Sequence, residues 1–380
     1  MNRENRIEWV DEWKGMLILL VVLGHIVGGM CHYTFGDTNS ILRYAWRFIY
    51  LFHMPAFFMV SGFLWRRKEG ASMGKVMKHR VDRLVIPYFA WGILSAAFFV
   101  GTESVARILT EGPSCYYGGR MFAFPWWRPF VSILHAGGWP NGEGFRCNSV
   151  LWFLPCMFVV LVVYDVLDWI QRKVRSRDVR LRSRGTRDPT RGGFEIVFDV
   201  CLVVVLVVLG GAVRLYAPRY LPWGLSRVPY MMIFFVIGRL LGRVNLTEKL
   251  KVPMLAVAVG WIAYGYAAWK YPDLAVGYMS WKWYWCTVML AIAGCLLSLY
   301  TVMAWQICFL ARLGVASMGI MLTHKFFIMP IQLCYGKFTH FGDVAVALTV
   351  FATLVIVSSI AYGVTVAIRR FAPAMVGERK

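Results

Sequence analysis

Trp9-Val-Asp-Glu-Trp-Lys-Gly-Met-Leu-Ile-Leu-Leu-Val-Val-Leu-Gly-His25 opens the first apolar run of the chain. A spanning helix needs about 20 apolar residues, and the run from Trp13 to Met30 approaches that length. It nevertheless carries a lysine at one end and a histidine near the other. At about 100° per residue, the eleven steps from Lys14 to His25 return to within about 20° of the start, and His25 lies about 16 Å further along the axis. Asp11, Lys14, Ile18, Val22 and His25 therefore form one stripe. Ionisable residues inside a span cost roughly 2.5–3.5 kcal/mol on insertion scales, which makes the stripe a functional candidate. Spacing alone leaves a second reading open, in which His25 joins packed helices and Lys14 snorkels to the surface. Gly24, beside His25, admits a close neighbour.

The remainder of the chain has the same character. Hydrophobic residues make up 59% and charged residues 16% of the 380 positions, with a mean hydropathy of +0.57. Soluble domains have about 45–50% and about 25% respectively. Apolar runs fall near residues 13–30, 45–65, 84–101, 150–169, 194–215, 228–242, 253–270, 283–304, 311–330 and 344–368. They predict an all-α, polytopic integral membrane protein of about ten helices, forming one membrane domain over residues 1–380 with no appended soluble domain. The polar segment Met1–Glu12 is followed by no small-residue cleavage site, so the first helix is expected to be retained.

The formal charge of +21 does not point to nucleic acid, because its excess sits in blocks between apolar runs. Arg66 to Arg83 and Arg172 to Arg191 are the densest of these. The positive-inside rule places both blocks, and with them both termini, in the cytoplasm. Residues 171–193 then form a basic cytoplasmic loop expected to lie disordered on anionic lipid. Residues 102–149 form a long extracytoplasmic loop with Trp126, Trp127 and Trp139, suited to the membrane surface or to stacking on a sugar ring. The nine cysteines show no zinc or redox spacing, and no metal site is expected. Cys115 and Cys147 share the outer loop, where pairing in an oxidising compartment is open to them.

Other spans hold further polar residues. Phe52-His-Met-Pro-Ala-Phe-Phe-Met-Val-Ser-Gly-Phe63 places His53 in the outer half of the second span, with Pro55 expected to kink it and Ser61 further in. Arg80-Val-Asp-Arg83 enters the third span, and two guanidiniums three residues apart are expected to share a face suited to phosphate, or only to set topology. In the ninth, seven steps align Ser317 with His324, again in the outer half.

Taken together these segments resemble the acyltransferase 3 family of membrane proteins, which includes polysaccharide O-acetylases. Its opening helix carries an aspartate, an arginine-glycine pair and, ten residues on, a histidine; here stand Asp11, Lys14-Gly15 and His25. The segment Phe52 to Leu64, the pair Arg80 and Arg83 before Pro87, Leu151-Trp-Phe-Leu-Pro155 and Ser317 to His324 match later motifs in order. Lys14 departs from the family's arginine, keeping the charge and losing the planar fork.

The resemblance implies an O-acetyltransferase of the bacterial cytoplasmic membrane with no tightly bound cofactor. It would take acetyl-CoA, or another acyl-CoA, from the cytoplasm and pass the acyl group to a carbohydrate hydroxyl, on a polysaccharide or a lipid-linked glycan. His25, Ser61 and His324 would be catalytic: His25 as general base, Ser61 or His324 at the oxyanion, with an acyl-enzyme on His25 or Ser61 also open. Asp11, Lys14, His53, Arg80, Arg83, Trp152 and Ser317 would bind donor or acceptor. The competing reading is a transporter or flippase that uses the same polar path.

Overall fold

A computed structural model describes residues 7–31, 40–66, 70–110, 127–136, 148–181, 191–216, 221–244, 252–272, 274, 281–335 and 342–378. Its regular elements among these residues are all helical. In chain order they are α1 (Glu8–Gly29), α2 (Ser40–Tyr50), α3 (His53–Leu64), α4 (Met73–Arg80), α5 (Ile86–Thr110), α6 (Arg128–His135) and α7 (Phe153–Leu181). Then follow α8 (Arg191–Tyr216), α9 (Val228–Val244), α10 (Met254–Lys270), α11 (Trp281–Trp305), α12 (Cys308–Val315), α13 (Ser317–Tyr335) and α14 (Asp343–Phe371).

Helix covers every apolar run found in the sequence, and among the described residues seven segments are long and apolar enough to cross a membrane. Val197, Val204 and Val208 on α8, Leu255 and Ile262 on α10, and Leu348 and Phe351 on α14 all stand exposed. Apolar faces this extensive suit lipid, where only hydrogen-bonded helices and closed barrels can span.

The interior is drawn together at two glycine crossings. A Cβ on Gly62 of α3 would overlap the Phe235 carbonyl of α9, and one on Gly238 of α9 would overlap the Met59 carbonyl of α3. Gly15 of α1 meets the Leu310 carbonyl of α12, and Gly314 of α12 meets that of Asp11. Without side chains at these points the backbones touch, and van der Waals packing holds helices together where lipid supplies little hydrophobic drive.

Four expectations are corrected. The second apolar run is two helices broken at Leu51–Phe52, not one helix kinked at Pro55; proline sits in the first turn of α3, where a missing N–H costs nothing. The ninth is likewise split at Ala316 into α12 and α13. The basic segment is not a loop from residue 171, because α7 runs to Leu181 and α8 begins at Arg191. Residues 171–181 contain neither Gly nor Pro, and cations favour a helix C-terminus.

The outer loop, finally, is not confined to the surface. α6 folds back against the start of α5, where the Tyr88 hydroxyl donates to the Ile133 carbonyl at 2.6 Å and Gly92 faces the Ile133 side chain. Trp127 is exposed beside α6, whereas Trp126, Trp139, Cys115 and Cys147 lie outside the described residues.

Candidate active site

His25 stands on α1, one step after Gly24, whose missing side chain makes room for Ile49 and the Tyr50 ring. The break between α2 and α3 shapes the opposite wall. It leaves the Ile49 carbonyl to accept from the Phe52 amide at 3.3 Å and from His53 Nδ1 at 2.7 Å. Tyr50, at the end of α2, lies between the two histidines. Its hydroxyl is 3.3 Å from His25 Nδ1, and its ring centroid is 4.8 Å from that of His53.

His324 of α13 completes the group, its ring centroid 5.4 Å from that of His25. Three imidazoles and a phenol from four separate helices therefore meet in one place. Both His53 and His324 are buried, and His25 is half-buried.

The tautomer of His324 follows from its partner. Nδ1 donates to the Ile320 carbonyl at 2.9 Å. A carbonyl only accepts, so the proton is on Nδ1, and in the neutral ring Nε2 is left with a lone pair. That Nε2 is buried with no hydrogen-bond partner among the described residues. It is chemically a proton acceptor.

A second polar centre lies around Arg80 and Asp165. Arg80 donates through Nε and Nη2 to the two carboxylate oxygens of Asp165, at 2.9 and 3.2 Å, and the Trp65 indole donates to the same carboxylate at 2.8 Å. These three residues line a cavity of about 370 Å³ with Arg66, Trp169 and Arg172. Arg83 turns elsewhere, its Nε donating to the Gly377 carbonyl at 3.3 Å.

The expected shared face for the two arginines is therefore not present. Residues Val81–Val85 form a π-turn, wider than an α-turn, ahead of Pro87, which has no N–H to offer a regular helix. Lys14 pairs with Asp11 at 2.5 Å, beside the α1–α12 crossing.

The other predicted residues do not join the histidines. Eight steps along α3 put Ser61 about 12 Å from His53, and seven steps put Ser317 about 10 Å from His324 along α13. Trp152 is half-buried at the entry to α7, with the Arg227 guanidinium 4.7 Å over its ring. Sequence reasoning missed Tyr50 and Asp165, although each is a polar or ionisable residue within an apolar run. It also missed Asn148, whose amide donates to Ser95 Oγ at 3.1 Å and to the Leu322 carbonyl at 3.3 Å, tying the foot of α7 to the helix that bears His324. Among the described residues no group of three His, Cys, Asp or Glu side chains could hold a metal ion.

Residues 7–368 match the family described as Acyltransferase domain, the acyltransferase 3 group. The chain belongs to that family. It is a multi-pass membrane protein, and the helices just described are those of the matched domain. Two curated relatives are called nodulation protein NolL. The one from Sinorhizobium fredii is 36% identical over 114 residues, covering 28% of this acyltransferase and 30% of the relative. The one from Mesorhizobium japonicum is 28% identical over 138 residues, covering 34% and 35%. The chain thus spans about a third of the length of the relatives it matches. No solved structure matches it.

Proposed function

We propose that this acyltransferase carries an acetyl group from cytoplasmic acetyl-CoA to a hydroxyl of a cell-surface or lipid-linked carbohydrate. It would act as a single domain over residues 1–380 in the bacterial cytoplasmic membrane, with both termini inside. The observation that carries the reading is the apposition of His25 and His324 at 5.4 Å, deep in a helical bundle that belongs to an acyltransferase family.

The donor enters at the cytoplasmic cavity. Arg80, Arg66 and Arg172 present guanidiniums to the CoA phosphates, and Trp169 offers an exposed ring to the adenine. Arg80 is already paired with Asp165, so it meets phosphate as part of an ion network and not as a free fork. Lys14 adds charge at the start of α1, about 16 Å along that helix from His25.

At the outer level the half-buried His25 meets the acceptor hydroxyl and takes its proton as the oxygen attacks the thioester carbon. Tyr50 orients the His25 ring, and His324, with its tautomer set by Ile320, forms the wall behind it. Trp152 and Arg227 offer a stacking and hydrogen-bonding surface for the sugar.

His25→Ala tests the reading. It is expected to abolish acetylation of surface glycans, followed by mass spectrometry, while the variant inserts at the wild-type level. Wild-type acetylation by that variant would remove His25 from the mechanism.

A further inference from the structure

We propose that Arg227, held over the Trp152 ring, recognises an anion on the acceptor, so that the glycan served by this protein is acidic. The inference rests on the acyl-transfer reading above and names the class of its acceptor.

The Arg227 guanidinium lies 4.7 Å over the centroid of the Trp152 ring, and both residues are half-buried. Among the described residues Arg227 makes no ion pair and donates no side-chain hydrogen bond. Its nitrogens stay open to solvent. A cation held over a ring by cation–π attraction keeps its N–H donors available. Their planar fork matches a carboxylate or a phosphate in bidentate fashion, whereas a neutral hydroxyl leaves the charge unanswered.

The turn that carries Arg227 is fixed from several sides. Trp223 (φ 56°) and Gly224 (φ 68°) are both left-handed, a conformation that bulky side chains rarely adopt. The Trp223 indole donates to the Leu134 carbonyl at the end of α6 at 3.1 Å. A Cβ on Gly224 would come within 3.2 Å of the Cys156 Cβ on α7, and the Arg227 amide donates to the Gly224 carbonyl at 2.7 Å.

The pair also adjoins the histidines. The Trp152 ring neighbours that of Phe153 at 6.5 Å, Phe153 neighbours Phe57 at 6.0 Å, and Phe57 is about one turn of α3 from His53. Asn148, at the start of the turn bearing Trp152, reaches the Leu322 carbonyl two residues before His324. An acceptor of several sugar units thus spans from Arg227 to a reacting hydroxyl at His25. Under the proposed topology Arg227 enters α9 from the outer side. Cations that set topology gather on the cytoplasmic side, so orientation does not account for this one.

The experiment measures equilibrium dialysis of radiolabelled trisaccharides against the purified whole protein in neutral detergent. Trigalacturonate is paired with its methyl ester, which keeps the hydroxyls and removes the charge, and maltotriose 1-phosphate with maltotriose. The wild type is expected to bind at least one charged member about ten-fold or more tighter than its neutral counterpart. Which pair shows the difference tells carboxylate from phosphate. Arg227→Gln should bring the charged sugar down to the neutral level, and Arg227→Lys should retain part of the preference as a point charge. Trp152→Leu should weaken binding of charged and neutral sugars alike. An unchanged melting profile of Arg227→Gln separates a lost contact from a lost fold.

Equal affinities within both pairs, or no binding of any sugar, would overturn the proposal and leave Arg227 to the lipid headgroups. A preference that survives in Arg227→Gln would overturn its assignment to this residue. A preference lost in that variant, with no acetyl moved from acetyl-CoA by the wild type, would overturn the acyl-transfer reading and leave the anion site standing.

Discussion

The Arg80–Asp165 pair separates holding the fold from holding the donor. The Asp165 side chain is 7% exposed and accepts two bonds from Arg80 and one from the Trp65 indole. Asp165→Ala leaves a guanidinium and an indole N–H without their partner. Breaking a buried pair by removing one member costs about 3–5 kcal/mol. Arg80 keeps 16% of its side-chain surface and borders an open cavity, so solvent screening reduces the figure to about 2–3 kcal/mol. Arg80→Ala should cost a similar amount, because it strands the carboxylate. In the double variant the shared bond is lost only once, so a cycle should return about 1–2 kcal/mol of coupling.

Donor binding should divide the two single variants. Arg80→Ala removes a phosphate contact, whereas Asp165→Ala releases the guanidinium towards the cavity. Thermal unfolding of the purified protein in detergent would give the stabilities, and acetyl-CoA titration the affinities. The expected pattern is two destabilised proteins, of which only Arg80→Ala has weakened donor binding. Equal loss of donor affinity in both variants would refute the phosphate role of Arg80, and additive stabilities would refute the coupling.

Gly238→Leu should abolish folded protein, because its side chain would be driven into the Met59 carbonyl; Gly74→Ala, with nothing within 4 Å, should be silent or stabilise by up to about 1 kcal/mol. Fluorescence-detected size exclusion of both would check this. At Lys14 the charge should matter more than the fork, so Lys14→Arg should match wild type while Lys14→Met loses turnover and, because the Asp11 carboxylate it leaves is buried, about 1–2 kcal/mol of stability. Acyl-transfer rates at matched membrane levels would settle it. Tyr50→Phe should lower kcat about ten-fold by releasing the His25 ring, with donor KM preserved, as read by steady-state kinetics.

Features confined to one helix were legible in the sequence. The i,i+3 relation of Asp11 and Lys14 predicts their contact, and the structure pairs them at 2.5 Å. The positions of His25, His53 and His324 along their own helices could be read from the sequence, but their convergence could not. It depends on the break at Leu51–Phe52, which turns Tyr50 and His53 onto the same wall. Arg80 and Arg83 show the opposite failure, because regular helical spacing gives them a common face and the π-turn separates them. Asp165 lies 85 positions from Arg80, and Asn148 174 from Leu322. No local periodicity reports partners at such separations. The inward fold of α6 was equally hidden, since its aromatics suit a membrane surface and a protein groove alike.

The polar residues of this acyltransferase divide in a way that burial energetics explains. Lys14, Arg80, Arg172, Arg243 and Arg369 each stand against a carboxylate of the same chain. A charge so paired needs no ligand, and under the proposed function a donor phosphate arriving there would join an existing network and act on affinity. At the histidine cluster the balance reverses. His324 keeps an Nε2 with no hydrogen-bond partner among the described residues. A group left unsatisfied in the resting protein and satisfied only in the transition state spends nothing on binding the substrate, and its whole effect falls on kcat.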